Sequence, residues 1–191
     1  MDAPRAAVRL SVVVVAALLV ALVTVSVVKD GAQAHAPITA RDGSVFLLPG
    51  SPGVYEAQWV DEEVLVVVTT QARLDAVERL RGEGEATDAE PLPGGLAVFA
   101  MSARSTFLGC TGRFMSELAA SRDIADYDGD GANDGRFMDV CHQGQWDVFH
   151  RGEPVSGPTE GRLAALRIEL RDGQVWGSGF DGPVGRQHDL D

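Results

Sequence analysis

Short runs of apolar residues separated by turn residues dominate the chain after residue 44, and they predict a mainly β structure. The strongest run is residues 64–70, which is rich in Val and Thr, as expected for a buried strand. Pro49-Gly50 and Asp172-Gly173 are typical turn sequences that end neighbouring runs. The predicted strands are residues 45–48, 55–59, 64–70, 96–101, 145–148, 153–155, 163–170 and 174–176.

Two segments instead favour helix. In residues 72–81, Leu74, Val77 and Leu80 recur at helical spacing with charged residues between them. Residues 113–120 predict a second, shorter helix. Residues 82–93 are acidic and rich in Gly and Pro, which predicts a surface loop, and the tail at 181–191 is predicted to be flexible.

Residues 10–28 form a nearly continuous apolar run. At 1.5 Å per residue, a helix of about 19 residues spans the ~30 Å hydrocarbon core of a membrane. Arg5 and Arg9 precede the run, so the positive-inside rule places residues 1–9 in the cytoplasm and the domain outside. We therefore predict a single-pass transmembrane anchor in the cell membrane, in contact with lipid, followed by a tether at 29–43. The alternative is a cleaved signal peptide, because Ala32-Gln33-Ala34 has the small-x-small pattern of a cleavage site.

The amino-acid composition argues against some classes of partner and metal site. The net charge of −12 argues against nucleic acid as a partner, because a protein binds the phosphate backbone through a basic surface. The two cysteines are too few for a four-cysteine zinc or iron–sulfur site. Being far apart in sequence, they suit one disulfide in an oxidising compartment, in agreement with an extracytoplasmic domain.

Each of the two cysteines lies in a short segment that resembles part of a known protein family. The first segment is Ser105-Thr106-Phe107-Leu108-Gly109-Cys110, and the second is Asp139-Val140-Cys141-His142-Gln143-Gly144. Together they resemble the two loops of Rieske-type iron–sulfur domains, which read Cys-x-His-x-Gly-Cys and Cys-x-Cys-His. The resemblance continues through residues 145–147, the Gly-Pro turn at 156–158 and the Asp-Gly turn at 172–173, in the order found in that family. It implies an antiparallel Rieske-like β domain over residues 44–180.

The resemblance also implies a role for each loop position. Cys110 and Cys141 fall on the two positions that form a disulfide in the family. Ser105, Phe107 and Asp139 fall on ligand positions that hold Cys, His and Cys in the family, and His142 alone keeps its ligand type. A Rieske [2Fe–2S] cluster needs two thiolates and two imidazoles. We therefore expect a degenerate domain without its cluster, acting as an accessory component of a respiratory-type membrane complex rather than as an enzyme.

Three other interpretations of this region remain open. The first is an atypical [2Fe–2S] electron-transfer protein that passes electrons from quinol to a cytochrome. The second is a mononuclear metal site formed by Asp139 and His142. The third is a hydrolase that uses Ser105, Asp139 and His142, although no Gly-x-Ser-x-Gly pattern surrounds the serine.

An acidic insertion at 123–135 separates the two loops and has the pattern of a calcium loop. Its carboxylates stand at positions 1, 3, 5 and 9, with glycine at position 6 and a backbone carbonyl expected at position 7. Phe137 stands where an EF-hand has its bidentate Glu. The predicted Ca²⁺ ligands are Asp126, Asp128, Asp130, Asp134 and the carbonyl of Ala132. The alternative is a solvated acidic turn that binds no ion.

The calcium prediction can be tested by thermal unfolding. Because Ca²⁺ would bind the folded loop and relieve repulsion among its carboxylates, we expect a higher melting temperature in millimolar Ca²⁺ than in a chelator. The predicted affinity is weak, on the order of 10⁻⁴–10⁻³ M. An unchanged melting temperature would contradict calcium binding.

Overall fold

The computed structural model describes residues 35–81, 89–116, 135–150 and 152–185. No helix within these ranges is long and apolar enough to cross a membrane. The predicted anchor at 10–28, the part of the acidic insertion that carries the proposed Ca²⁺ ligands, and the end of the tail from residue 186 lie outside the described residues.

The described residues are mainly antiparallel β, as predicted, with one helix. The helix α1 is Gln71–Arg81. The strands are β1 Ala36–Pro37, β2 Gly53–Trp59, β3 Glu62–Thr70, β4 Glu90–Leu92, β5 Leu96–Ser102, β6 Gly112–Met115, β7 Arg136–Asp139, β8 Gln145–Asp147, β9 Glu153–Ser156, β10 Ala165–Arg171 and β11 Gln174–Asp181.

Seven of the strands form a large sheet in the order β1-β11-β10-β5-β3-β2, with β4 also paired to β5. The antiparallel pair β3–β5 lies inside this sheet, and its side chains alternate between two buried faces. Leu65, Val67 and Phe99 belong to one core cluster, whereas Val66 and Val98 belong to the other. Because successive side chains of a strand point to opposite sides, apolar residues at every position indicate a strand covered on both faces.

The second sheet is a four-stranded meander, β6-β7-β8-β9, inserted in the chain between β5 and β10. Its Phe137 and Trp146 are fully buried in the core cluster that contains Phe99. The Trp146 indole donates a hydrogen bond to Gly161 O at 2.9 Å, so the buried ring also satisfies its polar atom. The connection from β5 to β6 and the turn from β7 to β8 contain the two cysteine loops.

Several sequence predictions are confirmed. The helix predicted at 72–81 is α1, and Thr70 caps it by accepting a hydrogen bond from Arg73 N at 3.1 Å. The predicted closing hairpin is β10–β11. Its turn residues Asp172 and Gly173 both have positive φ, 50° and 77°, the backbone that a two-residue hairpin of this sequence favours.

Other predictions are wrong in type or in boundary. The helix predicted at 113–120 begins instead as β6, because Phe114 pairs with Phe137 across the meander and packs against the core. The surface loop predicted at 82–93 ends in β4, and β7 was not predicted. Residues 36–39 of the predicted tether belong to the domain, since β1 pairs with β11 and Ile38 is fully buried.

Candidate functional site

The two loops lie together and are joined covalently. Cys110 and Cys141 form a disulfide with a Cα–Cα distance of 6.3 Å and a sequence separation of 31 residues. This confirms the pairing that the family resemblance implied. In the chain-entropy model, closing a loop of this length stabilises the fold by about 3–4 kcal/mol.

The first loop is closed by the backbone and hydroxyl of Ser105, which is fully buried. Ser105 N donates to Cys110 O at 2.8 Å. Its hydroxyl donates to Phe107 O at 2.8 Å and accepts from Phe107 N at 3.1 Å. Leu108 and Gly109 turn the chain with positive φ values of 57° and 67°. The Ser105 hydroxyl is therefore occupied in shaping the loop.

The second loop is organised by the fully buried carboxylate of Asp139. Its Oδ1 accepts hydrogen bonds from Cys141 N at 2.7 Å and from His142 N at 3.1 Å. The Asp139 backbone closes the same turn, since its N donates to Gly144 O and its O accepts from Gln143 N, both at 2.9 Å. Because a buried carboxylate needs such donors, Asp139 acts here as an Asx-type cap of the turn.

Phe107 and His142 meet where the loops face each other. Their rings are 5.1 Å apart and perpendicular, an edge-to-face packing that fixes both side chains. Nδ1 of His142 lies 3.4 Å from Asp139 Oδ2, and the imidazole is about one-third exposed. The predicted site residues Ser105, Phe107, Asp139 and His142 thus lie around the disulfide.

A third segment supports the loops from outside. A Cβ placed on Gly157 would lie 2.6 Å from Gln143 O, so the Gly-Pro turn at 156–158 packs directly on the second loop. Thr106 connects the first loop to residues 160 and 161, with its hydroxyl donating to Gly161 O at 3.2 Å and accepting from Glu160 N at 3.1 Å. The sequence analysis missed Thr106, because a single hydroxyl in a loop has no pattern that indicates its partner.

The C-terminal segment also contributes to the first loop. A Cβ placed on Gly185 would lie 3.2 Å from Gly109 Cα and closer still to Ser105 O, so only glycine fits this approach. Residues 181–185 belonged to the predicted tail, and the sequence contains no signal for the contact.

The residues do not fit an iron–sulfur cluster. A Rieske cluster requires two thiolates and two imidazoles. The corresponding positions 105, 107 and 139 supply a hydroxyl, a phenyl ring and a carboxylate, and the two sulfurs form the disulfide. Only the His142 imidazole matches the required ligand set.

The structural role of Asp139 can be tested by paired variants. Asp139→Ala removes the acceptor for two backbone N–H groups and is expected to lower the free energy of unfolding by about 2–4 kcal/mol. Asp139→Asn keeps an acceptor oxygen and should cost clearly less. Denaturant unfolding of both variants with the disulfide intact measures the difference, and equal losses would contradict the capping role.

No protein-family model matches the chain, and no curated protein matches it. Among solved structures, the chain is similar to the soluble domain of the Rieske protein II (soxF) from Sulfolobus acidocaldarius. The TM-score is 0.42 and the identity 18%, over 71% of this chain and 71% of that chain. A likeness this distant decides neither the family nor the function.

Proposed function

We propose that this protein is a membrane-anchored, extracytoplasmic Rieske-type domain without an iron–sulfur cluster, which serves as an accessory component of a membrane electron-transfer complex. The observation that carries the proposal is that the side chains at the family's cluster-ligand positions, together with the two sulfurs, take part in contacts that shape and join the two loops. The Ser105 hydroxyl closes the first loop, the Asp139 carboxylate caps the second, and both sulfurs are bonded to each other.

The arrangement of the loops supports the Rieske part of the proposal. The sequence resemblance implies two loops held together by a disulfide and covered by a Gly-Pro turn. In this chain the loops are joined through Cys110 and Cys141, and the turn at 156–158 packs on the second of them. The disulfide supplies the cross-link between loops that a cluster would otherwise reinforce.

A domain without a cluster would not transfer electrons through iron, so the role that we propose is a binding role. The apolar residues at the loop tips support this role. Val140 is 57% exposed and directly precedes Cys141, and Leu108 is 36% exposed two residues before Cys110. Each loop thus carries one exposed apolar side chain next to the disulfide, and we assign these two side chains to the contact with the partner protein. We define Leu108 and Val140 as the loop-tip surface.

The proposal includes two features that lie outside the described residues. The anchor at 10–28 holds the domain at the outer face of the membrane, where the disulfide is stable. Calcium bound to the acidic insertion orders the chain between the two loops.

Iron content tests the absence of a cluster. The full-length chain, expressed in a host that assembles Rieske clusters and purified in detergent, should be colourless and contain no stoichiometric iron by elemental analysis. As a matched control, the triple variant S105C/F107H/D139C restores the family's ligand types and should gain iron and colour. Two irons per wild-type chain would overturn the proposal and favour electron transfer with atypical ligands.

A charge on the loop-tip surface tests the accessory role. In detergent-solubilised native membranes, the wild-type chain should co-migrate with a haem-containing complex on native gels. Val140→Lys should abolish most of this association, because it places a charge in an apolar contact. Leu47→Lys is the matched control, because the Leu47 side chain is 69% exposed and lies far in sequence from the cysteine loops. This variant should leave the association unchanged. Equal migration of both variants with the complex would count against docking through the loop tips.

A further inference from the structure

Four potential metal ligands converge at the junction of the two loops. One ligand atom each from Cys110, Asp139, Cys141 and His142 lies within 4.8 Å of all the others. Two of these atoms are the sulfurs of the disulfide. The set combines two soft sulfur ligands with an imidazole and a carboxylate, all of which zinc accepts in tetrahedral sites.

The Asp139 carboxylate has one oxygen in use and one directed at His142. Oδ1 accepts both backbone hydrogen bonds of the second loop. Oδ2 lies 3.4 Å from His142 Nδ1, a distance at which a hydrogen bond is weak. Two light ligand atoms bound to one tetrahedral zinc at 2.0–2.1 Å are also about 3.4 Å apart. The pair therefore already has the separation of two neighbouring ligands.

The surroundings hold these two ligands in place. The backbone N–H groups of Cys141 and His142 fix the buried carboxylate, and the edge-to-face contact with Phe107 fixes the imidazole plane. Oriented ligands of this kind raise metal affinity, because less conformational freedom is lost on binding. Cys141 is an exposed residue, so the disulfide lies at the surface of the loop junction.

We propose that reduction of the Cys110–Cys141 disulfide by a dithiol converts the loop junction into a tetrahedral zinc site formed by Cys110 Sγ, Cys141 Sγ, Asp139 Oδ2 and His142 Nδ1. The oxidised form is cross-linked by the S–S bond and the reduced form by the metal. The two cross-links exclude each other, because the same sulfurs serve both.

The chemistry is balanced in two steps. The dithiol gives two electrons and two protons to the disulfide, whose S–S bond breaks to leave two thiols, while the dithiol becomes a cyclic disulfide. Zn²⁺ then binds both sulfurs and displaces their two protons to solvent. The sulfurs separate to about 3.8 Å, the spacing of two thiolates on one tetrahedral zinc.

This inference goes beyond the proposed function, since it needs neither the membrane partner nor the anchor. An experiment can contradict the proposed function and leave the zinc site intact, or the reverse. Stoichiometric iron in the purified chain would contradict the cluster-free proposal, whereas absence of metal binding by the reduced chain would contradict the present one.

Cobalt substitution provides the test. The full-length chain in detergent is stripped of metal, reduced with a dithiol, freed of the dithiol by anaerobic gel filtration and titrated with Co²⁺ in the presence of excess Ca²⁺, which occupies oxygen-only sites. We expect one Co²⁺ per reduced chain, with the strong visible bands of tetrahedral cobalt and a near-ultraviolet sulfur-to-cobalt charge-transfer band. Zn²⁺ should displace the cobalt and bleach both bands, and the oxidised chain should show neither.

Matched variants identify the ligands. Asp139→Asn keeps the acceptor for the two backbone N–H groups but loses a carboxylate oxygen, and His142→Gln removes the imidazole. Each should weaken Co²⁺ and Zn²⁺ binding by at least about tenfold. His150→Gln, at a histidine paired with Glu153 in β9, is the control and should bind as the wild type does.

Thiol protection provides a readout that does not depend on the variants. In the reduced wild-type chain, Zn²⁺ should slow alkylation of Cys110 and Cys141 by iodoacetamide, because bound thiolates are less reactive. A reduced chain without the sulfur-to-cobalt band, alkylation unaffected by zinc, or wild-type affinity in both Asp139→Asn and His142→Gln would overturn the proposal.

Discussion

The pairing of β3 with β5 is the interaction on which the rest of the domain depends. The two strands are in register over seven consecutive residue pairs, from Val64 with Ser102 to Thr70 with Leu96. Their apolar side chains fill both faces of the sheet, so each face must be covered by other elements. One face is covered by α1 and the small meander, and the other by side chains from the outer strands of the large sheet and the segments around Ile38 and Phe46.

The meander that covers the α1 face of the sheet also positions the two loops. Phe137 and Trp146 are buried in the same core cluster as Phe99, and they belong to β7 and β8. The turn between these strands is the second loop, and the first loop leads directly from β5 into β6. Burial of these two aromatic rings and the Cys110–Cys141 disulfide therefore hold the same two loops together.

The polar groups of the two loops are held by contacts within each loop. Ser105 and Asp139 are buried, and burying their polar side chains without hydrogen bonds would cost folding free energy. Each side chain has hydrogen-bond partners within its own loop. The outer oxygen of Asp139 and the ring of His142 are the exceptions, since their mutual contact is long. These two groups are therefore the ones in the loops that we propose as metal ligands, beside the two sulfurs, in addition to their structural role.

The sequence alone determined the class of structure and the outline of the site. Apolar runs identified the long strands, because side-chain burial follows strand periodicity directly. The Asp172-Gly173 turn placed the closing hairpin correctly through its local backbone preference. The pairing of Cys110 with Cys141 followed from a family resemblance that the residues themselves carry.

Only the tertiary structure decided the elements whose conformation depends on distant partners. Residues 113–115 have a sequence compatible with helix, yet they form β6 because Phe137 and its strand lie opposite. Ile38 belongs to the core because β1 pairs with β11, far away in sequence. The edge-to-face contact between Phe107 and His142 likewise exists only because packing brings together two loops that are far apart in sequence. Residue types specify which groups are present, whereas their geometry follows from long-range packing that no local pattern encodes.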